Sequence, residues 1–273
     1  MNMTLTKASG VVGASSILVA GGSYGVSILF SGVMPDYEPL SNSGGKYVSD
    51  FKDYFVDASK NDSWWKWSYK NRYLVYEDKQ DYDGEQRVDP KTLFVGLTGG
   101  LGKTDKHIQN ICSKVYEAEK AKVKKGASAS DEYEEADIWR YCTGVKYKPK
   151  TIAENMGEDS SYKSSDASKK SYGEEYKDQL VSITVDDNVY FWKEQTRLFF
   201  KKSGGRSGFK FKSDKNSIFG KLWHRGKGDI KEECLAAYKL PKDNTEQNSL
   251  VSEDDLFKFC SLKGQKQTSS SAS

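Results

Sequence analysis

The sequence DIWRYCT at residues 137–143 returns as DLFKFCS at residues 255–261. All seven positions are identical or chemically similar in the two stretches. An internal repeat changes the expected fold, because each copy then forms a structural unit and neighbouring units pack on one another. The chain is therefore expected to contain two related halves.

Further matches extend the repeat on both sides of this block. A shift of 125 positions aligns Trp67 with Trp192 and Arg72 with Arg197, and a shift of 122 aligns the isoleucine, cysteine and tyrosine of residues 108–116 with those of residues 230–238. Only small length changes in loops are needed. The expected core positions of the repeat are Trp67, Arg72 and Trp139 in the first copy and Trp192, Arg197 and Phe257 in the second.

The apolar spacing predicts a mainly α fold. Ile108, Ile111, Cys112 and Val115 fall at i, i+3, i+4 and i+7, which is one face of a helix. We predict a single transmembrane helix followed by two tandem, homologous, small α-helical modules. The predicted divisions are a cytoplasmic N-terminus (1–7), a transmembrane anchor (8–34), a stalk (35–43), helical module 1 (44–145), a linker (146–171), helical module 2 (172–263) and a disordered tail (264–273).

The anchor is predicted from a long uncharged segment. No charged residue occurs between Lys7 and Asp36, and a helix needs about 20 apolar residues to cross a bilayer. Lys7 precedes the segment, whereas Asp36 and Glu38 follow it, so the positive-inside rule places the body outside the cell. A cleaved secretory signal is an alternative, since the segment is rich in small residues, and a buried core helix is another.

Each copy of the repeat contains one pair of cysteines at matching positions. The predicted disulfides are Cys112–Cys142 and Cys234–Cys260, which lie on apolar helix faces. Disulfides persist outside the cell, and a loop of about 30 residues closed in this way gives roughly 3 kcal/mol of stability. The alternative is that the cysteines are buried free thiols that pack as small hydrophobic groups.

The composition argues against several functions. The 42 basic and 39 acidic residues give a net charge of +3. Their signs are interspersed, so the one-signed patch of a nucleic-acid binder is not expected. The two histidines, His107 and His224, do not match between copies, and no C-x-x-C or H-E-x-x-H motif occurs. We therefore predict no enzyme activity, metal, cofactor, small-molecule substrate or nucleic-acid partner.

A glycine-rich segment supplies the alternative, catalytic interpretation. GLTGGLGKT at Gly96–Thr104 follows an apolar stretch and precedes a predicted helix, as a phosphate-binding loop does. The spacing departs from that motif, because Leu97 stands where a glycine is needed. The alternative function is a membrane-attached phosphate- or nucleotide-binding enzyme that uses this loop.

Three tryptophans lie close together in WWKW at residues 64–67. Trp67 has a match in the second copy and is expected in the core. Trp64 and Trp65 have none, so a surface that stacks on a ligand is a second interpretation for them.

The N-terminal KASGVVGA at residues 7–14, together with Trp67, Cys112 and the block 139–142, resembles the haemoplasma-type paralogous proteins. These are lineage-specific families of small, membrane-anchored proteins from wall-less blood parasites. The resemblance implies surface display and antigen-like variation, and it carries over no catalytic residue. The expected function is non-catalytic interaction or antigenic display by a single-pass cell-membrane protein with an extracellular body, and a host surface molecule is a candidate partner. A secreted effector, released by signal cleavage, is a further alternative.

Overall fold

The computed structural model describes residues 32–41, 47–74, 88–164, 169–242 and 250–267. This part of the chain is mainly helical with little sheet, as predicted. None of its helices has the length and apolarity needed to span a bilayer. Residues 8–31 of the predicted anchor lie outside the described ranges.

Short helices make up most of the fold. The α-helices are α1 (Asp62–Ser68), α2 (Ile108–Glu117), α3 (Glu135–Cys142), α4 (Tyr172–Glu175), α5 (Val189–Phe199), α6 (Ile218–Arg225), α7 (Ile230–Tyr238) and α8 (Glu253–Cys260). A π-helical turn, Tyr69–Tyr73, continues α1. The 3-10 turns are Tyr47–Tyr54, Thr92–Phe94, Lys120–Lys122, Glu158–Tyr162, Asp186–Asn188 and Phe209–Lys212. Strands β1 (Val123–Lys124) and β2 (Tyr133–Glu134) pair in parallel.

Helix α2 is shorter than the apolar pattern indicates. The spacing predicts a helix from Thr104 to Lys125, whereas α2 begins at Ile108 and ends at Glu117. The side chain of Thr104 contacts the ring of His107 instead of capping the helix. Beyond the helix, the chain forms a 3-10 turn and then strand β1.

Side-chain caps fix four of the five α-helix starts in the second half of the chain, residues 146–267, with α5 as the exception. An oxygen near each start accepts a backbone N–H from the first turn, which satisfies a donor that the helix leaves unpaired. The capping residues are Ser171 for α4, Ser217 for α6, Asp229 for α7 and Ser252 for α8. Helix α6 ends at Gly226, whose φ of 65° is the left-handed conformation common at helix ends.

One continuous hydrophobic core contains side chains from both halves. Its largest members are aromatic. Trp64 and Trp65 are fully buried, with ring centroids 4.9 Å apart in an edge-on arrangement. The interpretation of these two residues as surface contacts is therefore wrong. Trp67, Trp139, Trp192 and Phe257 are also buried.

Both disulfides join neighbouring helices inside this core. Cys112 and Cys142 connect α2 with α3, with Cα atoms 5.6 Å apart. Cys234 and Cys260 connect α7 with α8, at 5.7 Å. The predicted pairing is confirmed, and no cysteine is free.

The backbone around the two disulfides follows the same hydrogen-bond pattern. In the first half, residues 32–145, Val56 N–H donates to Cys142 O over 3.0 Å; in the second, Val181 N–H donates to Cys260 O over 2.9 Å. The Tyr116 hydroxyl donates to Val56 O. In the second half, the Tyr238 hydroxyl donates in the same way to Val181 O. In each half, the disulfide therefore lies against the corresponding extended segment.

The hydrogen bonds revise two of the sequence matches. Arg72 donates to carbonyl groups at the end of α3, and Arg206, not Arg197, does the same at the end of α8. The contact of Arg197 is with Glu194. A single shift of 125 positions selects Arg197 because it cannot represent the longer connection that precedes Arg206.

The match of Trp67 with Trp192 is also revised. The Asn61 amide group bonds to the backbone of Glu38, and the Asn188 amide group bonds to the backbone of Lys150 in the same pattern. Counting from these two asparagines, Trp192 corresponds to Trp65 and not to Trp67.

The segments predicted as stalk, linker and tail each make packed contacts in their described parts. Tyr37 of the stalk is buried, and Leu40 N–H donates to Phe55 O over 2.8 Å. In the linker, Ile152 N–H makes the matching bond to Leu180 O over 2.9 Å. In the tail, Gln267 N–H donates to Gln179 Oε1 over 2.8 Å. These described residues therefore belong to the folded body.

Candidate functional site

The glycine-rich loop at Gly96–Thr104 packs closely around a histidine. A Cβ added to Gly99 or Gly102 would lie 2.8 Å or 2.6 Å from Cδ2 of His107, and one on Gly100 would overlap the carbonyl oxygen of Trp65. These glycines are therefore explained by close approach of the backbone to its neighbours.

Several backbone N–H groups of this loop are occupied by protein acceptors. Thr98 and Gly99 donate to Lys106 O over 2.8 Å and 3.2 Å, and Gly102 donates to Gln109 Oε1 over 3.0 Å. A phosphate-binding loop needs such groups free and convergent. An open cleft of about 490 Å³ adjoins the loop and includes Lys103, but the amides of Thr98, Gly99 and Gly102 are bonded within the protein.

The two histidines lie in separate places. His107 Nδ1 is 2.8 Å from Thr104 Oγ1, and His224 Nε2 is 3.0 Å from Phe211 O. In the part of the chain that the structure describes, no group of three or more His, Cys, Asp or Glu residues is arranged to hold a metal. Among the described residues, neither histidine hydrogen-bonds to a carboxylate that would orient it as a general base.

A polar network fills the seam where the first half packs on the second. Tyr37 donates to Glu194 Oε1 over 2.5 Å, and Arg197 Nε donates to Glu194 Oε2 over 2.7 Å. Arg197 and Lys201 also pair with Asp36. Burial, followed by the Glu194 charge, raises the pKa of Tyr37 well above its usual value. Burial lowers the pKa of Arg197, but Glu194 more than offsets this effect and raises it, so the tyrosine stays neutral and the arginine stays charged.

A second, smaller cleft of about 270 Å³ opens at this seam beside Asp53 and Arg206. Arg206 donates to Asp53 Oδ2 over 2.8 Å and to Leu262 O over 2.6 Å. Its guanidinium is buried, and it joins Asp53 of the first half to carbonyl groups of its own half. The chemistry of the seam is therefore structural.

Asp137, at the start of α3, has an unusual protonation equilibrium. Burial raises the pKa of its carboxyl group to about 6, although a hydrogen bond from Lys91 N–H opposes the shift. That bond, to Oδ2, is 2.7 Å long. The nearby Glu134 charge adds to the increase. Asp137 therefore ties the 3-10 turn before α2 to α3.

The connection between α5 and α7 is strongly basic. Residues 200–229 include nine Lys and Arg residues and two Asp residues, whereas the corresponding connection of the first half, residues 74–107, includes five Lys and Arg and seven Asp and Glu. The connection at residues 200–229 is therefore predominantly basic, although the two signs are interspersed over the whole chain. The whole-chain balance conceals the basic connection, and a sum over each connection reveals it.

This basic connection displays a row of aromatic rings. Phe200 stacks on Trp223 with ring centroids 6.2 Å apart. Phe209 packs edge-on against Trp223, with ring centroids 6.0 Å apart. Phe209 is 43% exposed. The amine of Lys212 lies 6.0 Å from the centre of the Phe209 ring. The row is held in place because the turn Phe209–Lys212 packs against α6.

The free charge on this surface comes from lysines. The two arginines of the connection are engaged, Arg206 with Asp53 and Arg225 with Glu233. Five exposed lysines make no ion pair with any residue in the described ranges: Lys202, Lys212, Lys215, Lys221 and Lys227. We call these lysines and the row Phe200, Phe209 and Trp223 the basic aromatic face.

Comparisons of the chain with protein-family models, with curated proteins and with solved structures found no match.

Proposed function

We propose that the protein is a single-span cell-surface protein that acts by binding, through a body built from two homologous modules outside the cytoplasm. Surface display of this kind is also what the resemblance to haemoplasma-type anchored proteins implies.

The two buried disulfides are the observation that carries this proposal. Disulfides form and persist in oxidising surroundings and are rare in the cytosol. Each closes a long loop, with 30 residues of separation for Cys112–Cys142 and 26 for Cys234–Cys260, so both restrict the unfolded chain substantially. Together with the uncharged segment 8–34, they favour a body that stands outside the membrane.

The proposal of two homologous modules is supported by matched contacts. A cysteine bridge, a tyrosine hydroxyl and a buried arginine occupy corresponding positions in each half: Cys112–Cys142, Tyr116 and Arg72 in the first, and Cys234–Cys260, Tyr238 and Arg206 in the second. Three independent kinds of interaction in the same order are difficult to explain without a shared ancestral unit.

A binding role is favoured because the polar groups at the two clearest candidate sites bond within the protein. Glu194 is held by Tyr37 and Arg197, and the amides of the glycine-rich loop are held by Lys106 and Gln109. The surface that remains available has charged and aromatic groups of the kind that bind macromolecules.

Protease treatment of intact cells tests the proposed display. Fragments from beyond Met34 should be released from intact cells, and mass spectrometry should find residues before Pro35 retained in the membrane. Protection of the body until the cells are lysed would contradict the orientation. A mature chain without residues 1–34 would instead favour a secreted effector.

A nucleotide-binding measurement tests the catalytic alternative on the full chain. Lys103→Ala removes the lysine of the glycine-rich loop, and Lys106→Ala is a matched control on the same loop. We expect both variants and the wild type to behave alike. Nucleotide binding that only Lys103→Ala abolishes would favour the enzyme.

A further inference from the structure

We propose that the basic aromatic face docks on the anionic lipid headgroups of the membrane that holds the anchor. This inference deepens the proposed function and rests on it, because the anchor brings the face to the bilayer. Binding by the five unpaired lysines and the aromatic row would lay the body against the membrane instead of leaving it upright.

The charge of the face matches an anionic surface. Residues 200–229 have seven more basic than acidic residues. The positive potential also affects a neighbour: burial, followed by the charge of Lys210, lowers the pKa of Lys258 on α8. A surface of this sign attracts anionic lipids over about a Debye length.

The type of cation favours lipid over nucleic acid. Lysine is a flexible point charge that suits diffuse attraction to a charged plane, whereas arginine suits paired contacts with individual phosphates and bases. Both arginines of the face region, Arg206 and Arg225, are engaged with carboxylates of the protein. The two disulfides also favour a location away from cytosolic nucleic acid.

The aromatic row supplies the second component of membrane contact. Tryptophan and phenylalanine rings settle at the interface between lipid headgroups and acyl chains. Phe209 is 43% exposed, and its ring touches Trp223 on one side and the Lys212 amine on the other. Basic residues beside exposed rings are typical of surfaces that lie in this interface.

The face also lies close to the point where the chain leaves the predicted anchor. Lys201 Nζ is 3.0 Å from Asp36 Oδ1, and Asp36 comes two residues after the predicted end of the anchor at Met34. A surface tethered so near the bilayer experiences a high effective concentration of headgroups. Modest affinity is then sufficient for docking.

Quenching of tryptophan fluorescence by brominated lipids tests the docking. Five of the six tryptophans are buried, and Trp223 is partly buried. Because Trp67 bonds to Gly32 at the end of the predicted anchor, only the quenching that depends on anionic lipid reports on the face. The full chain is reconstituted into phosphatidylcholine vesicles with and without phosphatidylglycerol. We expect quenching that requires phosphatidylglycerol and disappears at high salt.

A charge-reversal variant identifies the lysines that are responsible. Lys202, Lys212, Lys215 and Lys221 are each replaced by Glu, and the matched control replaces four exposed lysines of the first half: Lys66, Lys103, Lys106 and Lys125. We expect the ratio of docked to undocked protein to fall about fivefold or more for each reversed lysine of the face. The ratio should be unchanged in the control variant. Circular dichroism checks that both variants keep their helices. Equal loss in the control would overturn the inference.

Flotation on vesicles separates this inference from the anchor. A chain that floats on pure phosphatidylcholine but shows no lipid-dependent quenching has its anchor and lacks the docking face, which overturns the inference alone. Flotation with quenching only when phosphatidylglycerol is present supports the face and contradicts the anchor. Duplex DNA binding that depends on the same four lysines, without quenching by brominated lipid, would assign the face to nucleic acid and overturn the inference.

Discussion

Arg72 and Arg206 do the same work in the two halves of the molecule. The guanidinium of Arg72 donates to Thr143 O over 2.6 Å, and that of Arg206 donates to Ser261 O over 2.8 Å. Each acceptor comes directly after the helix that ends in the second cysteine of its disulfide. The last carbonyl groups of a helix have no partner within it, so these two arginines complete the helix ends inside the core.

Replacing either arginine by methionine should destabilise the protein by about 3 kcal/mol, because several buried carbonyl groups lose their donors. Arg225→Met, on the exposed surface of α6, is the control and should cost less than about 0.5 kcal/mol. Urea unfolding monitored by circular dichroism measures the three variants. A cost for Arg72→Met or Arg206→Met as small as that of the control would contradict the shared role.

Removal of a disulfide should lower stability by about 3.5 kcal/mol in either half, since the loops that the two bridges close are of similar length. The paired variants are Cys112→Ala with Cys142→Ala, and Cys234→Ala with Cys260→Ala. Urea midpoints give the cost, and a peptide map without reduction gives the pairing. Free thiols at all four positions in protein from intact cells would show that the bridges do not form there.

Arg197→Met should destabilise the protein by about 3 kcal/mol, because Glu194, which is 3% exposed, would remain buried without its cation. Adding Glu194→Gln should recover most of this loss, since the charge is then gone. Lys201→Met serves as the control at the edge of the same seam. Equal stability of the single and double variants would mean that the Glu194 charge is not the cause.

Asp137 should make stability depend on pH in weakly acidic solution. Its pKa is about 6 in the folded protein, above the usual 3.8, so the folded state binds the proton more tightly than the unfolded state. The contribution of this group is then complete below the usual pKa and declines as the pH rises to about 6. Asp137→Asn should abolish this decline, which amounts to roughly 3 kcal/mol of unfolding free energy. Asp89→Asn, at an exposed carboxylate, should leave the decline unchanged. Urea unfolding at a series of pH values measures the slope, and an unchanged slope in Asp137→Asn would refute the assignment.

Gly100→Ala should cost about 2 kcal/mol, since the added methyl group overlaps the Trp65 carbonyl group and the backbone must move. Lys103→Ala, three residues along the same loop and exposed, should be neutral. Thermal unfolding of the two variants measures the difference. A stable Gly100→Ala variant would mean that the loop does not pack on α1 as described.

The sequence was sufficient to predict features that repeat with little change in length. The pairing of Cys112 with Cys142 followed from a short block that recurs with its helical spacing. The partner of Arg72 could not be found in this way, because the connection before Arg206 differs in length and only three-dimensional contacts identify it. The burial of Trp64 and Trp65 was also missed, since the first half uses two adjacent tryptophans where the second has Phe191 and Trp192.

The basic aromatic face was missed for a different reason. Charge was judged over the whole chain, where the acidic connection at residues 74–107 offsets the basic one at residues 200–229. The aromatic contribution could not be judged from sequence either. Whether Phe209 and Trp223 point inward or outward depends on how the turn Phe209–Lys212 lies on α6.

The seam joins different surfaces of the two halves. Arg206 of the second half meets Asp53 of the first, whereas its counterpart Arg72 meets Met34. A head-to-tail contact joins two different surfaces and does not close on itself. Identical units could therefore continue to add through it and form a filament.

The first and last described residues lie beside these contacts. At one end, Gly32 O accepts from Trp67 Nε1, next to the contact of Met34 with Arg72. At the other, the Gln267 N–H bonds to the Gln179 side chain. The shift of 125 positions aligns Gln179 of the second half with Tyr54 of the first half, which lies at the seam. On the proposal that the two halves are homologous modules, residues 32–34 and Gln267 occupy the places that capping repeats take in longer solenoids. Deleting these residues is then expected to expose two complementary surfaces and to cause self-association through them.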